Sequence, residues 1–356
     1  MKWIKEISGK LMDVESKTVF ASRVLYSITG DNTYLLNLGK RFKKSVTSSD
    51  KWKKFSNRLA LAEKEYGVVL YSAGAFGRKM LDLTREIRWR CVIDQNPKCN
   101  ELRGIPVESC ETYFKNMRDE YIVIPSMFYF DDMRNFLLRH GVDVGRIIDG
   151  TVLYELTEGL QYFDLKELSH CDGQEVFADV GCCDGMSSVQ FMKWCGGDGY
   201  CYCFEPDRYN IERVQKNMKN KNIPSDTYCL IPKGAWNEET RLLFVADGNG
   251  ASHVSGVYGE DGSENMEGIQ VTTIDKVIGD KPLTFIKMDI EGSELNALRG
   301  AEQTIRKQKP KLAICVYHKS DDIREIPEYI LSIRSDYKFY LRHYSFEASE
   351  TVLYAV

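Results

Sequence analysis

No run in this 356-residue chain approaches the roughly 18 consecutive apolar residues that a bilayer-spanning helix needs. The opening stretch, MKWIKEISGKLMDVESK, lacks the apolar core of a secretory signal. These two absences set the expectation of a cytoplasmic protein without a membrane span. A strong charge of either sign is missing as well: 48 Lys and Arg face 52 Asp and Glu, for a formal net charge of −4. Nucleic acid is therefore not expected as a partner, because binding it means neutralising many phosphates. Only five histidines occur, which narrows the choice of imidazole chemistry. No internal repeat of fixed period is visible.

Cysteine, by contrast, is plentiful. There are eleven, an odd number in a long chain with no export signal, and they are expected to be reduced rather than paired in a disulfide framework. Five of them crowd residues 182–203. Cys182 and Cys183 are adjacent and cannot form the C-x-x-C arm of a zinc site, and Cys201-x-Cys203 is too closely spaced for one. They are read as small buried hydrophobes, Cys201 and Cys203 on the two buried faces of a strand. No metal is expected from them.

The chain reads as three parts. Residues 1–65 are a helical N-terminal segment with Phe20, Val24, Leu25 and Ile28 at helical spacing. Residues 66–160 alternate apolar strands with helices, as in YGVVLYSAGAFGRKMLDL, WRCVIDQNP and YIVIPS. Residues 161–356 repeat that alternation through EVFADV, GYCYCFEP, LTFIKMDI and KLAICVYH. The expected fold class is α/β, with two doubly wound domains after the helical segment. A helix is expected from about Ser293 to Lys307. KFYLRHYS and TVLYAV are expected as an antiparallel pair at a sheet edge. Residues 247–268, rich in Gly, Ser and Asn, read as a mobile loop near the site.

The cofactor reading rests on FADVGCCDGMSS, residues 177–188. A strand runs into Asp179, Gly181, Asp184 and Gly185 and then into a helix. The glycines allow a tight turn and close approach of a ligand, and the helix start offers free N–H groups. About 20 residues on, the next strand ends at Glu205, placed to accept both hydroxyls of a ribose. Acidic Asp179 before the first glycine would repel a pyrophosphate but suits a cationic amino acid. That favours S-adenosylmethionine over a dinucleotide.

With these residues in view, residues 170–356 resemble the FkbM family of S-adenosylmethionine-dependent methyltransferases. The resemblance is carried by FIKMDIEGSELNALRGA (285–301), VTTIDKVI (271–278), FADVGCCDGMSS and CFEPD, in that family's arrangement. It implies a seven-stranded Rossmann-like sheet with the cofactor at the carboxyl ends of the strands, Ala235 and Trp236 beside the adenine, and O-methylation of sugars or other metabolites. Asp289 and Glu291, two apart on an extended segment, are expected to share a face, one holding the acceptor or acting as base. His318, ending the next strand, is the candidate base because its ordinary pKa lies near neutrality. Together the three could hold a divalent ion, but their order in the chain does not fix that geometry, and no metal is assigned.

In the N-terminal α/β part, YSAGAFG has Gly74 and Gly77 but Ser72 in place of the first glycine of a dinucleotide fingerprint. Asp94 lies 20 residues beyond Gly74 at a strand end. This part resembles the small Rossmann-like domain that precedes some sugar-modifying transferases, which implies a nucleotide-sugar, a nicotinamide cofactor or no ligand at all. The expected whole is a cytoplasmic bacterial methyltransferase acting on a small-molecule or glycan acceptor, with a homo-oligomer possible. The alternatives are a non-catalytic cofactor-binding scaffold and an NAD(P)-linked sugar-modifying enzyme.

Overall fold

The computed structural model describes residues 2–116, 119–159, 161–245, 253–257 and 267–356. Four helices open the chain: α1 (Lys2–Lys10), α2 (Val14–Thr29), α3 (Thr33–Ser48) and α4 (Asp50–Tyr66). There follow β1 (Val68–Tyr71), α5 (Ala75–Leu83), β2 (Trp89–Asp94), β3 (Glu101–Leu102), β4 (Ile105–Ser109) and α6 (Cys110–Lys115). Next come β5 (Tyr121–Ile124), α7 (Phe130–Arg139), β6 (Ile147–Asp149) and α8 (Val152–Glu155). Two compact units result: Lys40–Leu160, and Met1–Gly39 together with Gln161–Val356. The helical stretch 1–65 is thus divided between them, the division falling inside α3.

The unit Lys40–Leu160 has a six-stranded sheet in the order β3-β4-β2-β1-β5-β6. All neighbours pair in parallel except β3 with β4. The central strand β1, VVLY, is buried throughout, as a parallel strand covered on both faces should be. Asp94 receives the Ala73 N–H at 2.9 Å, so it braces the turn that leaves β1.

The other unit continues with β7 (Glu175–Val180), α9 (Met186–Trp194), β8 (Gly199–Phe204), α10 (Arg208–Asn220) and β9 (Tyr228–Ile231). A smaller set follows: β10 (Gly234–Ala235), β11 (Thr240–Val245), β12 (His253–Val257) and β13 (Glu267–Thr272). The chain then runs through α11 (Ile274–Ile278), β14 (Phe285–Met288), α12 (Glu294–Arg299), α13 (Glu302–Gln308) and β15 (Lys311–Cys315). It ends with α14 (Asp322–Ile333), β16 (Phe339–His343) and β17 (Thr351–Ala355).

Seven strands form one sheet, β16-β17-β15-β14-β7-β8-β9, in which β15, β14, β7, β8 and β9 are parallel. The chain builds outward from β7 to β9, then returns to β14 on the other side of β7. That reversal creates a crevice at the carboxyl ends of β7 and β14, where open α/β sheets bind ligands. Alternation along the strands fills both faces. Phe177 and Phe285 meet Phe191 and Trp194 on one side, while Ala178, Val180, Ile286 and Met288 join the larger core on the other. β16 and β17 form the expected antiparallel pair at the edge.

Four local expectations change. The helix read over 293–307 is two helices, because the Gly300 backbone packs on the residue after β10; a Cβ there would overlap the Trp236 carbonyl oxygen. Part of the expected loop 247–268 is strand, with β12 pairing antiparallel to β11 from Leu242↔Val257 to Val245↔His253; residues 247–252 and 258–266 lie outside the described residues. Cys201 and Cys203, two apart on β8, share one face rather than taking opposite ones, since strands alternate with a period of two. Phe20 and Val24 are buried against β16 and its surroundings, but Leu25 and Ile28 are 41% and 67% exposed. All eleven cysteines are free thiols. Among the described residues, no helix is long and apolar enough to cross a membrane.

Candidate functional site

The backbone turns as soon as β7 ends. Gly181 has φ +77°, and a Cβ there would overlap the Asp289 carbonyl oxygen and lie 2.7 Å from Ile290 Cγ2. Only glycine lets the loop and the end of β14 come this close. The Gly181 and Cys182 N–H groups both donate to the Phe204 carbonyl, at 3.1 and 3.2 Å, fastening the loop to β8. Cys182 is buried, and its hydrogen bond with Cys203, reinforced by burial, raises its thiol well above the usual range. Burial pushes Cys183 up to about 12. Neither shift favours the thiolate that metal binding and redox chemistry use.

Two acids of this loop serve its architecture. Asp179 is fully buried; its Oδ2 accepts from the hydroxyls of Ser187 and Ser188 at 2.6 Å, and its Oδ1 lies 3.2 Å from Lys287 Nζ. Lys287 also donates to the Gly181 carbonyl at 2.6 Å. Burial opposes the lysine's charge, but Asp179 and Asp289 outweigh it and raise its pKa above the ordinary value. Asp184 accepts the N–H of Met186, the first residue of α9, at 3.2 Å and pairs with Arg213 at 3.3 Å. Gly185 backs onto Val214 and Met218 of α10. None of Asp179, Asp184 and Gly185 lines the adjoining cleft.

That cleft lies beyond the carboxyl ends of β7, β8 and β14 and encloses about 580 Å³, its mouth included. Gly181, Cys183 and Glu205 form its polar floor, with Phe204, Ile290 and the inward side chains of β11–β13 as apolar walls. Glu205, 4% exposed, accepts the Cys183 N–H at 2.9 Å and the Asp207 N–H at 3.0 Å. Burial pushes its carboxyl up to about 7. A carboxylate accepts about four hydrogen bonds, so it retains capacity for ligand hydroxyls. Ala235 lines the cleft; Trp236 instead packs against the Leu242, Phe244, Ile269 and Val271 cluster.

Asp289 and Glu291 line the opposite side. They come together by a different route from the extended one expected, since β14 stops at Met288 and Glu291 adopts φ +53° followed by Gly292 at +90°. Tyr162 and Tyr317 donate to the two Asp289 oxygens, at 2.8 and 3.2 Å. Asp289 is lowered below the usual range although burial opposes this, chiefly by Lys287 and then His318. His318 Nε2 sits 3.5 Å from Asp289 Oδ1 and 3.6 Å from Glu291 Oε1, with Nδ1 2.9 Å from Glu294 Oε1. Burial would lower the imidazole, but Glu291, Glu294 and Asp289 prevail and push it up to about 11. It therefore carries a proton at neutral pH in this arrangement and is not free to accept one, which removes the reason for expecting it as base.

Residues 179–346 match the family model described as the methyltransferase FkbM domain. This part of the chain is an FkbM methyltransferase domain. None of the curated proteins matches the chain. Among solved structures, the methyltransferase FkbM from Methylobacillus flagellatus is 21% identical, covers 92% of this chain and 100% of its own, and has a TM-score of 0.48. Fibrillarin from Aeropyrum pernix, in complex with natively bound S-adenosyl-L-methionine, is 11% identical over 55% of this chain and 71% of its own, with a TM-score of 0.34. Precorrin-6y C5,15-methyltransferase from Geobacter metallireducens is 11% identical over 52% and 82%, with a TM-score of 0.31.

Several groups of the FkbM site carried no assignment from sequence. Glu294 is the last letter of the charged motif KMDIEGSE, and its complete burial could have been suspected from that position. Lys287, which opens the same motif, reads from sequence as lining the interior of the site; it is instead buried against Asp179 and is not part of the cleft lining. Tyr162 reaches Asp289 from 127 residues away, and nothing in its own neighbourhood signals that contact.

Proposed function

We propose that the FkbM domain transfers a methyl group from S-adenosylmethionine to a hydroxyl of a saccharide or glycan precursor. The observation that carries this reading is a single cleft lined on one side by Glu205 and on the other by Asp289 and Glu291. The residues fit the cofactor: a buried carboxylate with spare acceptor capacity suits ribose hydroxyls, and Phe204, Ala235 and Phe244 offer apolar walls to an adenine. When bound, S-adenosylmethionine supplies an electrophilic methyl whose carbon–sulfur bond breaks with both electrons staying on sulfur. The chain's part is positioning, which can account for much of such a displacement. Glu291, the more exposed of the two acids at 32%, is placed to accept the hydroxyl proton as the new carbon–oxygen bond forms. Asp289, held by two tyrosines, would orient the acceptor. The saccharide class rests on the likeness of 271–301 to the family's segments.

Calorimetry with S-adenosylmethionine tests the donor, and mass spectrometry of hydroxylated acceptors tests the transfer. Binding should tighten by about tenfold between pH 6 and 8, because ribose hydroxyls donate to an ionised Glu205 and its carboxyl titrates near 7. The same shift acts oppositely on the ligand-free fold. The native state holds the extra proton between the ordinary value of 4.5 and about 7, so this contribution to stability falls as pH rises through that window. Glu205→Gln should flatten the binding profile. Wild-type protein that fails to bind the cofactor at any pH would end the reading.

The cysteines make a sharper control. Cys182→Ala with Cys183→Ser should keep cofactor affinity within about tenfold, or roughly 1.4 kcal/mol. A larger loss, measured by the same titration, would mean that the thiols take part in binding.

A further inference from the structure

Asp289, Glu291 and His318 each present one ligand atom, and these atoms lie within 4.8 Å of one another. Carboxylates clustered at a turn are common and prove little. The imidazole adds an independent observation: its side chain is 7% exposed, and Nε2 makes no aligned hydrogen bond within the protein. Nε2 points between Asp289 Oδ1 and Glu291 Oε1 at 3.5 and 3.6 Å. At the far nitrogen sits Glu294, whose carboxylate is fully buried and fixed by the Ile290 N–H at 2.8 Å. A buried carboxylate behind one imidazole nitrogen, with the other nitrogen facing oxygen donors, is the arrangement that orients metal-ligating histidines.

We infer that Asp289, Glu291 and His318 bind a divalent cation at the edge of the cleft, with Glu294 as the positioning residue for His318. An ion about 2.1 Å from each ligand can span the 3.5 and 3.6 Å from Nε2 to the two carboxylate oxygens, taking the place of the ring proton, which binding releases. One imidazole with two carboxylates suits a borderline first-row ion such as Mn²⁺ or Zn²⁺ better than a purely oxygen-loving one. Three protein ligands leave open positions, as catalytic metal sites do. Asp289 and Glu291 line the cleft, so those positions face the space an acceptor would occupy. If the O-methylation reading holds, on which this last step rests, the ion would chelate two neighbouring hydroxyls and so select saccharides with a vicinal diol. The left-handed backbone at Glu291 has a reason on this account, since it swings that carboxylate toward His318.

The test uses the full chain, freed of metal with a chelator and titrated with Mn²⁺ alone. Free Mn²⁺ is followed by its paramagnetic resonance signal, and bound Mn²⁺ by spin-echo modulation from coordinated nitrogen. One saturable site per chain with the signature of a single imidazole is expected. His318→Ala should remove that signature and weaken binding at least tenfold, and Glu294→Gln should weaken it by about 10–100-fold. Absence of a saturable site in the wild type, or a bound ion without nitrogen modulation, would leave the cluster a closed ion-pair network and overturn the proposal; these readouts need no variant to fold. S-adenosylmethionine calorimetry on the same wild-type sample keeps the two readings apart. Cofactor binding without Mn²⁺ binding sinks the metal site alone, and the reverse sinks the donor reading alone.

Discussion

Lys287→Met is expected to lower the unfolding free energy by about 3–5 kcal/mol, the cost of breaking a buried ion pair from one side. Asp179 is fully buried and Lys287 3% exposed, with 3.2 Å between their charged atoms. Removing the ammonium leaves a carboxylate with two serine hydroxyls and no counter-charge, in a sheet interior that water cannot reach. The loss should exceed what the packing of a lysine stem explains, because methionine fills nearly the same volume. Adding Asp179→Asn should recover most of it, since the amide keeps acceptor capacity toward Ser187 and Ser188 and carries no charge. Urea unfolding of the wild type, the two single variants and the double variant gives the coupling directly. A loss below about 1 kcal/mol for Lys287→Met, in the range of exposed pairs, would show that the pair is hydrated. The lysine also holds the Gly181 carbonyl, so cofactor affinity should fall in Lys287→Met along with stability. The pair therefore links the strength of the sheet to the shape of the loop that borders the cleft.

The parts of this site legible in the sequence are those whose signal is local. A strand, a glycine turn, a helix and a second strand ending in Glu205 occupy a short interval, and their spacing alone places loop and acid at one edge of a sheet. Asp289, Glu291 and His318 were readable as polar residues at strand ends for the same reason. Their mutual distances were not readable, because they depend on a left-handed turn at Glu291 and on the register of β14 with β15. Residues whose role is set by distant partners left no trace. Asp179 looks like a ligand contact by position, yet the lysine that claims it lies 108 residues on in the chain. The N-terminal helices read only as amphipathic; that α2 seats Ser16 against the Leu341 N–H at 2.9 Å follows from sheet topology, not from periodicity. The glycine-rich composition around 253–257 hid a strand, since β12 is recruited by pairing with β11 and not by its own propensity.

Gly181→Ala should abolish cofactor binding, with a loss of at least 100-fold, while Gly185→Ala should cost far less. Both glycines have positive φ, +77° and +81°, so the backbone penalty of about 1–2 kcal/mol is common to both. What differs is the obstacle. At Gly185 the new methyl would meet Val214 Cγ1 at 3.2 Å and Met218 Cε at 3.4 Å, side-chain ends that yield by a few tenths of an ångström. At Gly181 it would overlap the Asp289 carbonyl oxygen, which belongs to backbone already bonded to β7 through the Asp289 N–H and Val180 carbonyl at 3.1 Å. Relief then requires the loop and the segment after β14 to part, moving Cys183 away from Glu205 and Asp289 away from His318 together. Calorimetry with S-adenosylmethionine and thermal unfolding of both variants would measure the contrast. Equal losses would mean that the left-handed backbone alone matters at both positions; a Gly181→Ala protein that binds within threefold of wild type would mean that the close approach of β7 and β14 does not shape the cleft.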